Sequence, residues 1–224
     1  MRRRTVIVAI LALTAVVWPV ASANAQAAKR DPILFIHGWS ENSLLWTNFI
    51  GRFVADGWSP TLLNTMDYNS AQSNRTIAEQ VERRVEEISA ANGGAEVDVI
   101  THSMGGLSSR WYIKFLDGAG EVEDWVSLGG PNHGTLTATA CLPITPASCT
   151  EMLPGSTFLN QLNAGDETPP GVRWGTWWSP CDEIIIPQRS VILDGASNTQ
   201  TACLGHIQLT QDGTVYQGVR DFVR

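Results

Sequence analysis

The stretch EVDVITHSMGG, residues 96–106, changes character halfway along. Residues 96–101 are short and rich in β-branched side chains, the composition of a buried strand. Residues 104–116 then read as a helix. His102 and Ser103 fall on the turn between the two. A serine on a sharp strand-to-helix turn, flanked two positions away by small residues, is the arrangement of a nucleophile elbow. The requirement is steric: strand and helix approach closely there, and the turn exposes the hydroxyl at the helix start. Gly105 meets it. Thr101 stands where the usual pattern has glycine, and threonine is still small enough to fit. His102, beside the serine on a tight bend, points away from it. It is expected to support packing or to line the site as a substrate-binding residue.

The pattern continues outward. Residues 33–37 (ILFIH) form an apolar run entered through Asp31-Pro32 and stopped by Gly38, again a buried strand. Residues 43–56 carry Leu44, Leu45, Phe49 and Phe53 at helical spacing, and 61–64 fit the next strand. Thr76-x-x-Glu79 is a capping box, followed by Ile77, Val81, Val85 and Ile88 on one helical face. Asn92-Gly93-Gly94 ends that helix. Further on, 124–128, 172–178 and 199–203 read as strands, and a helix from Leu209 closes the chain, weakened by Gly213 and Gly218. Alternating strands and helices predict an α/β fold: a mostly parallel sheet of about six strands with helices on both faces. In such sheets, sites gather at the carboxyl ends of the strands, where Ser103 stands. The loop His37-Gly38-Trp39-Ser40 ends its strand at the same edge. A developing oxyanion needs preorganised donors. The backbone N–H groups of Met104 and Trp39 are the candidates, with His37 shaping the loop.

Residues 1–25 begin with Arg2, Arg3 and Arg4, run apolar from Val6 to Val20 and end in Ala23-Asn24-Ala25. This is the pattern of a secretory signal peptide cut after Ala25, leaving 26–224 as a single domain of a secreted, extracellular protein. The chain has 15 Lys and Arg against 22 Asp and Glu, a net charge of −7. That balance speaks against a nucleic-acid partner, which a basic face would serve. All four cysteines, Cys141, Cys149, Cys181 and Cys203, follow the signal. An even count in an exported chain predicts two disulfides, with three pairings open. Cys141–Cys149 would close a short loop, and Cys181–Cys203 would tie two later ones. The spacing contains no C-x-x-C pair, so zinc is not expected. Gly165-Asp166-Glu167 reads as a solvated loop, not a calcium site. No metal or cofactor is predicted.

FIHGWS (35–40) and THSMGG (101–106) together resemble the alpha/beta-hydrolase superfamily, and within it the small secreted triacylglycerol lipases of actinomycetes and bacilli. SLGGPNHGT (127–135), SPCDEIIIP (179–187) and LGHIQL (204–209) are similar to that group in the expected order. The resemblance implies a serine hydrolase acting on carboxylic esters of acylglycerols through an acyl-enzyme. The superfamily order of serine, acid, histidine leaves His133 and His206 downstream of Ser103. His206 follows the last strand and leaves room for an acid before it, so it is the expected base. His133 is expected to line the site or to hold a loop. Asp182 follows a strand and matches the family position for the acid, with Glu183 and Asp194 as rivals. Residues 134–170, including Leu136, Leu142, Ile144, Met152, Leu153, Phe158, Leu159 and Leu162, are expected to supply an acyl pocket. Trp39 and the group Trp174, Trp177 and Trp178 could join it, Trp178 as a substrate contact. The expected partner is a lipid or small ester, met transiently at a lipid–water interface by a monomer with no large lid. A cutinase-like or polyester-degrading hydrolase, and a non-catalytic lipid-binding protein on the same fold, are the alternatives.

Overall fold

Every strand of the sheet runs parallel to its neighbours. β1 (Ile33–Ile36), β2 (Leu63–Met66), β3 (Val97–His102), β4 (Val122–Leu128), β5 (Arg173–Trp178) and β6 (Ser197–Gln200) lie in the order 2-1-3-4-5-6. The computed structural model describes residues 30–144 and 146–223. The signal sequence read at 1–25 lies outside the described residues, as do the side chains of Leu142 and Ile144.

Period-two alternation sorts the strand side chains onto two faces. Leu34, Ile36, Val97, Val99 and Trp174 meet α2 (Asn74–Ala91) and α3 (Gly105–Phe115) through Val81, Val85, Ile88, Tyr112 and Ile113. Ile33, Phe35, Ile100, Val126 and Trp177 meet α1 (Thr47–Ala55) and α6 (Gly213–Phe222) through Phe49, Phe53, Val215, Tyr216 and Val219. Between these last two helices α4 (Ala147–Glu151) and α5 (Thr157–Leu162) carry the excursion between β4 and β5. The register opposes Val97 to Val122 but Val99 to Trp125, so β4 carries one extra residue. That bulge turns the Trp125 ring onto the α2–α3 face.

Several boundaries differ from the sequence reading, each for a non-local or capping reason. α2 starts at Asn74, ahead of the Thr76 capping box, because Ser73 caps it. The carboxylate that completes the cap is Glu151, which accepts from Asn74 N (2.6 Å) and Nδ2 (2.9 Å), and not Glu79. β2 begins two residues later than expected because Ser59-Pro60 opens a short 3-10 turn over Pro60–Leu62. β6 starts and stops earlier than expected, the chain beyond it being drawn toward Ser179 and Cys181. α6 begins at Gly213, capped by Asp212 Oδ1 on the amides of Thr214 and Val215, and Leu209 belongs to a separate 3-10 turn.

The sheet order places the reversal of winding between β1 and β3, both continuing into loops at their carboxyl ends. In an open α/β sheet this switch point leaves a crevice between diverging loops.

Candidate active site

Ser103 sits in that crevice with φ +53°, a left-handed conformation that non-glycine residues rarely adopt. Its amide is fastened to the Leu128 carbonyl at 2.9 Å. A Cβ added at Gly105 would stand 2.6 Å from the His37 carbonyl oxygen, so only glycine lets α3 approach β1 this closely. Thr101 is accommodated because its hydroxyl, fully buried, donates to the Val126 carbonyl at 2.9 Å. The polar atom that distinguishes it from a smaller residue is thereby satisfied.

Asp182 and His206 come from the loops after β5 and β6. His206 Nδ1 donates to Asp182 Oδ2 at 2.8 Å, both residues being almost completely buried. Asp182 Oδ1 accepts from the amides of Ile184 (2.9 Å) and Ile185 (2.8 Å). Burial pushes the Asp182 carboxyl up, but the His206 pair and these amides outweigh it and hold it below the usual carboxylate value. Burial, assisted by the neighbouring His102 ring, pushes the His206 imidazole below its ordinary value against the pull of Asp182 and Glu41. These opposing effects favour a neutral His206 imidazole whose proton on Nδ1 is fixed by the carboxylate. Gly129, at φ +59°, lies against the pair: a Cβ there would be 3.1 Å from Asp182 Oδ2 and 3.2 Å from His206 Cε1. Because Ser103 is bonded to the residue before Gly129, serine, histidine and aspartate share one corner.

The rival acids lie elsewhere. Glu183 Oε2 accepts from the His206 backbone N–H at 3.0 Å and so holds the loop, not the ring. Asp194 lies beside Thr168 and Glu167 on a different surface hollow.

Two cross-links join the Asp182 and His206 loops. Cys181 and Cys203 form a disulfide, with Cα atoms 5.0 Å apart. The buried Ser179 hydroxyl donates to the Leu204 carbonyl at 2.6 Å and accepts from the Leu204 amide at 2.9 Å. The second disulfide is Cys141–Cys149, in the excursion that carries α4.

The loop after β1 holds a residue that the sequence reading missed. Glu41 accepts from the Gly38 amide at 2.6 Å and from His102 Nδ1 at 2.9 Å. Burial would raise its carboxyl, yet His102 and the Gly38 amide bring it below the usual value. The available signal was its position three residues beyond a turn glycine, where a side chain can close onto that glycine's amide. Among the described residues the amides of Trp39 and Met104 have no protein acceptor. His37 shapes the loop as expected, its ring stacked on Tyr68 at 4.2 Å and Tyr68 Oη donating to its carbonyl.

Ser103 and His206 open onto a cavity of about 590 Å³ whose other walls include Trp39, Ala138, Met152, Ile185 and Ile207. Of the expected acyl-pocket residues Met152 lines it, whereas Phe158, Leu159 and Leu162 pack with Met104 and Leu107 in the core. Leu136 is exposed at the surface. The three residues expected to touch substrate are not among the cavity walls. His102 is fully buried, its ring held by Glu41 and the His206 carbonyl. His133 holds a loop: its Nε2 is 2.7 Å from Glu167 Oε1, beside the separate polar hollow of about 900 Å³. Trp178 packs on Ile185 and Val191, Trp174 on Trp125, and Trp177 against Phe222. The Gly165–Glu167 loop is bound by the Lys114 ammonium, which donates to the carbonyls of Leu162, Ala164 and Asp166. Among the described residues no group of three or more His, Cys, Asp or Glu is placed to hold a metal.

A parallel sheet of this order, with the serine on an elbow after β3, the aspartate after β5 and the histidine after β6, defines an alpha/beta-hydrolase. Within that class the chain belongs to the lipase (class 2) family, whose family model matches residues 30–214. It is 28% identical over 130 residues to a triacylglycerol lipase of Burkholderia plantarii, covering 55% of this chain and 36% of that protein. It is 25% identical over 119 residues to a triacylglycerol lipase of Pseudarthrobacter phenanthrenivorans, covering 50% of this chain and 37% of that one. The alignments thus span little more than a third of these relatives. The fold resembles the mature form of Bacillus licheniformis lipase BlEst2, with TM-score 0.75 and 15% identity over 87% of this chain and 92% of that chain. It also resembles Aspergillus fumigatus lipase B, with TM-score 0.67 and 18% identity over 84% of this chain and 51% of that chain.

Proposed function

We propose that the protein is a secreted serine esterase of lipase type that hydrolyses acylglycerol esters through an acyl-enzyme. The observation that carries the reading is the buried His206–Asp182 pair opening, with Ser103, onto one largely apolar cavity. Ser103 Oγ attacks the ester carbonyl while His206 Nε2 takes its proton. Asp182 keeps the other proton on Nδ1 and balances the imidazolium that forms. The amides of Trp39 and Met104 receive the oxyanion. His206 then returns the proton to the leaving alkoxide, and water repeats the sequence to release the acid.

The cavity mouth supports the substrate class. Ile184, Ile186, Ile207 and Leu136 are all exposed there or beside it, and Leu136 N bonds the Ile186 carbonyl. An apolar rim around an apolar cleft fits acyl chains and a transient lipid surface. The reading includes a leader at 1–25 cut after Ala25 and export of the single domain 26–224 as a monomer; the two disulfides support the export.

The test is hydrolysis of nitrophenyl esters from acetate to palmitate by wild type and Ser103→Ala, with fluorophosphonate labelling alongside. Wild type is expected to hydrolyse them and to label at Ser103. The alanine variant should lose at least about a thousandfold in kcat/KM. A wild-type protein that binds lipid but neither hydrolyses nor labels is a binding protein, and the reading fails.

A further inference from the structure

His102 stands at the meeting of three loops, fully buried and outside the Ser103–His206–Asp182 constellation. Its Nδ1 faces Glu41 Oε2 at 2.9 Å, and its Nε2 faces the His206 carbonyl oxygen at 3.2 Å. Both neighbours are acceptors: Glu41 Oε2 already takes the Gly38 amide proton, as an ionised carboxylate does, and a peptide carbonyl has no proton to give. A neutral imidazole can donate through one nitrogen only. The two hydrogen bonds form together when the ring carries both protons and Glu41 supplies the counter-charge for its burial.

We propose that Glu41 and His102 form a positioning ion pair that braces the oxyanion loop, the elbow and the His206 loop, and that sets a cation directly against the His206 ring. The inference rests on the proposed function above. The two rings have centroids 4.5 Å apart, close enough for one cation to oppose a second. The charged groups facing His206 are Asp182 on Nδ1, Glu183 on its backbone amide, and the His102–Glu41 pair. Asp182 and, more weakly, Glu41 favour the protonated ring, and His102 is the cation set against them. A more acidic imidazolium also gives its proton more readily to the leaving alkoxide. The same pair ties together the two sides of the oxyanion hole. Glu41 fixes the peptide preceding Trp39, and His102 lies two residues before Met104.

The proposal is tested with Glu41→Gln and His102→Gln in the full secreted chain. In Glu41→Gln the amide oxygen can take the Oε2 position that the Gly38 amide and His102 Nδ1–H share, but it supplies no counter-charge, so His102 becomes neutral and loses the Nε2 bond to the His206 carbonyl. Both variants should move the acid limb of kcat/KM for a nitrophenyl ester to higher pH by about half a unit or more. In the wild-type protein at pH 6, assigned ring-nitrogen NMR should show His102 with both nitrogens protonated and His206 with one. An acid limb that stays in place or moves down, with kcat lowered equally at every pH, overturns the proposal and leaves the pair a packing element. So does a singly protonated His102 at pH 6, which needs no variant to fold. If wild type neither hydrolyses esters nor takes fluorophosphonate at Ser103, the functional reading is what has failed, and the NMR result alone decides the ion pair.

Discussion

Asp182 and His206, 24 positions apart in the chain, meet at 2.8 Å between two loops that a disulfide and the Ser179 hydroxyl also join. Three independent connections over so short a span mean that Asp182 and His206 are placed by their loops as a unit.

Replacing Asp182 by asparagine keeps the size of the side chain but removes the charge and can present the wrong partner to Nδ1–H. kcat should fall by roughly a hundred- to ten-thousandfold with little change in KM. Glu183→Gln, which touches only the His206 backbone, should cost far less. Steady-state kinetics of both variants on one ester checks the assignment. Comparable losses would make Glu183 an equal candidate for the acid.

Opening Cys181–Cys203 should lower activity as well as stability. The chain-entropy contribution is about 3 kcal/mol, and kcat should fall even where the protein is still folded, since Asp182 directly follows one cysteine. The paired variant Cys181→Ser/Cys203→Ser is assayed well below its Tm. Unchanged kcat, with mass spectrometry showing the bond absent, would leave the disulfide a purely stabilising element.

Glu151 caps α2 from a distant helix through Asn74 N, Asn74 Nδ2 and the Ser73 hydroxyl. Glu151→Ala strands those buried donors, and a loss of about 2–4 kcal/mol follows. Glu151→Gln keeps one acceptor oxygen and should lose less. Urea denaturation of both variants measures the difference.

At the opposite end of the sheet, burial followed by the neighbouring Asp124 pushes the Asp98 carboxyl well above its ordinary value. Burial likewise lifts Asp124 to about 6, although Arg173 pulls it down. For a raised carboxyl the native state holds more protons than the unfolded chain. Its stabilising effect is therefore complete below the ordinary carboxylate value and is lost as pH rises, for Asp124 through about 6. Asp98→Asn should raise the denaturation midpoint at pH 8 and change it little at pH 4. An equal effect at both would mean that charge is not the cause.

The strands at 33–37 and 96–101, the sharp turn at Ser103, the loop at 37–40 on the same edge and the alternation that makes the sheet parallel were all legible in the chain. Each is written in contiguous residues: β-branched runs, glycines beside a serine, a turn after a strand. Local patterning suffices where backbone conformation and side-chain periodicity carry the message. Boundaries slipped where the deciding contact came from far away, as with Glu151 at the start of α2 and Cys181 beyond β6.

What remained open until the chain was folded concerns partners. Asp182, Glu183 and Asp194 are equivalent carboxylates in sequence, and only the loop geometry gives one of them the His206 ring and another its amide. One of the three possible sets of cysteine pairings was chosen the same way. His133, beside a strand end, turned toward Glu167 and away from the cavity, and His102 turned into the interior to meet Glu41. The physical reason is common to all of them. A hydrogen bond or ion pair depends on distance to within a few tenths of an ångström, and across long sequence separations that distance is set by how helices and loops pack on the sheet.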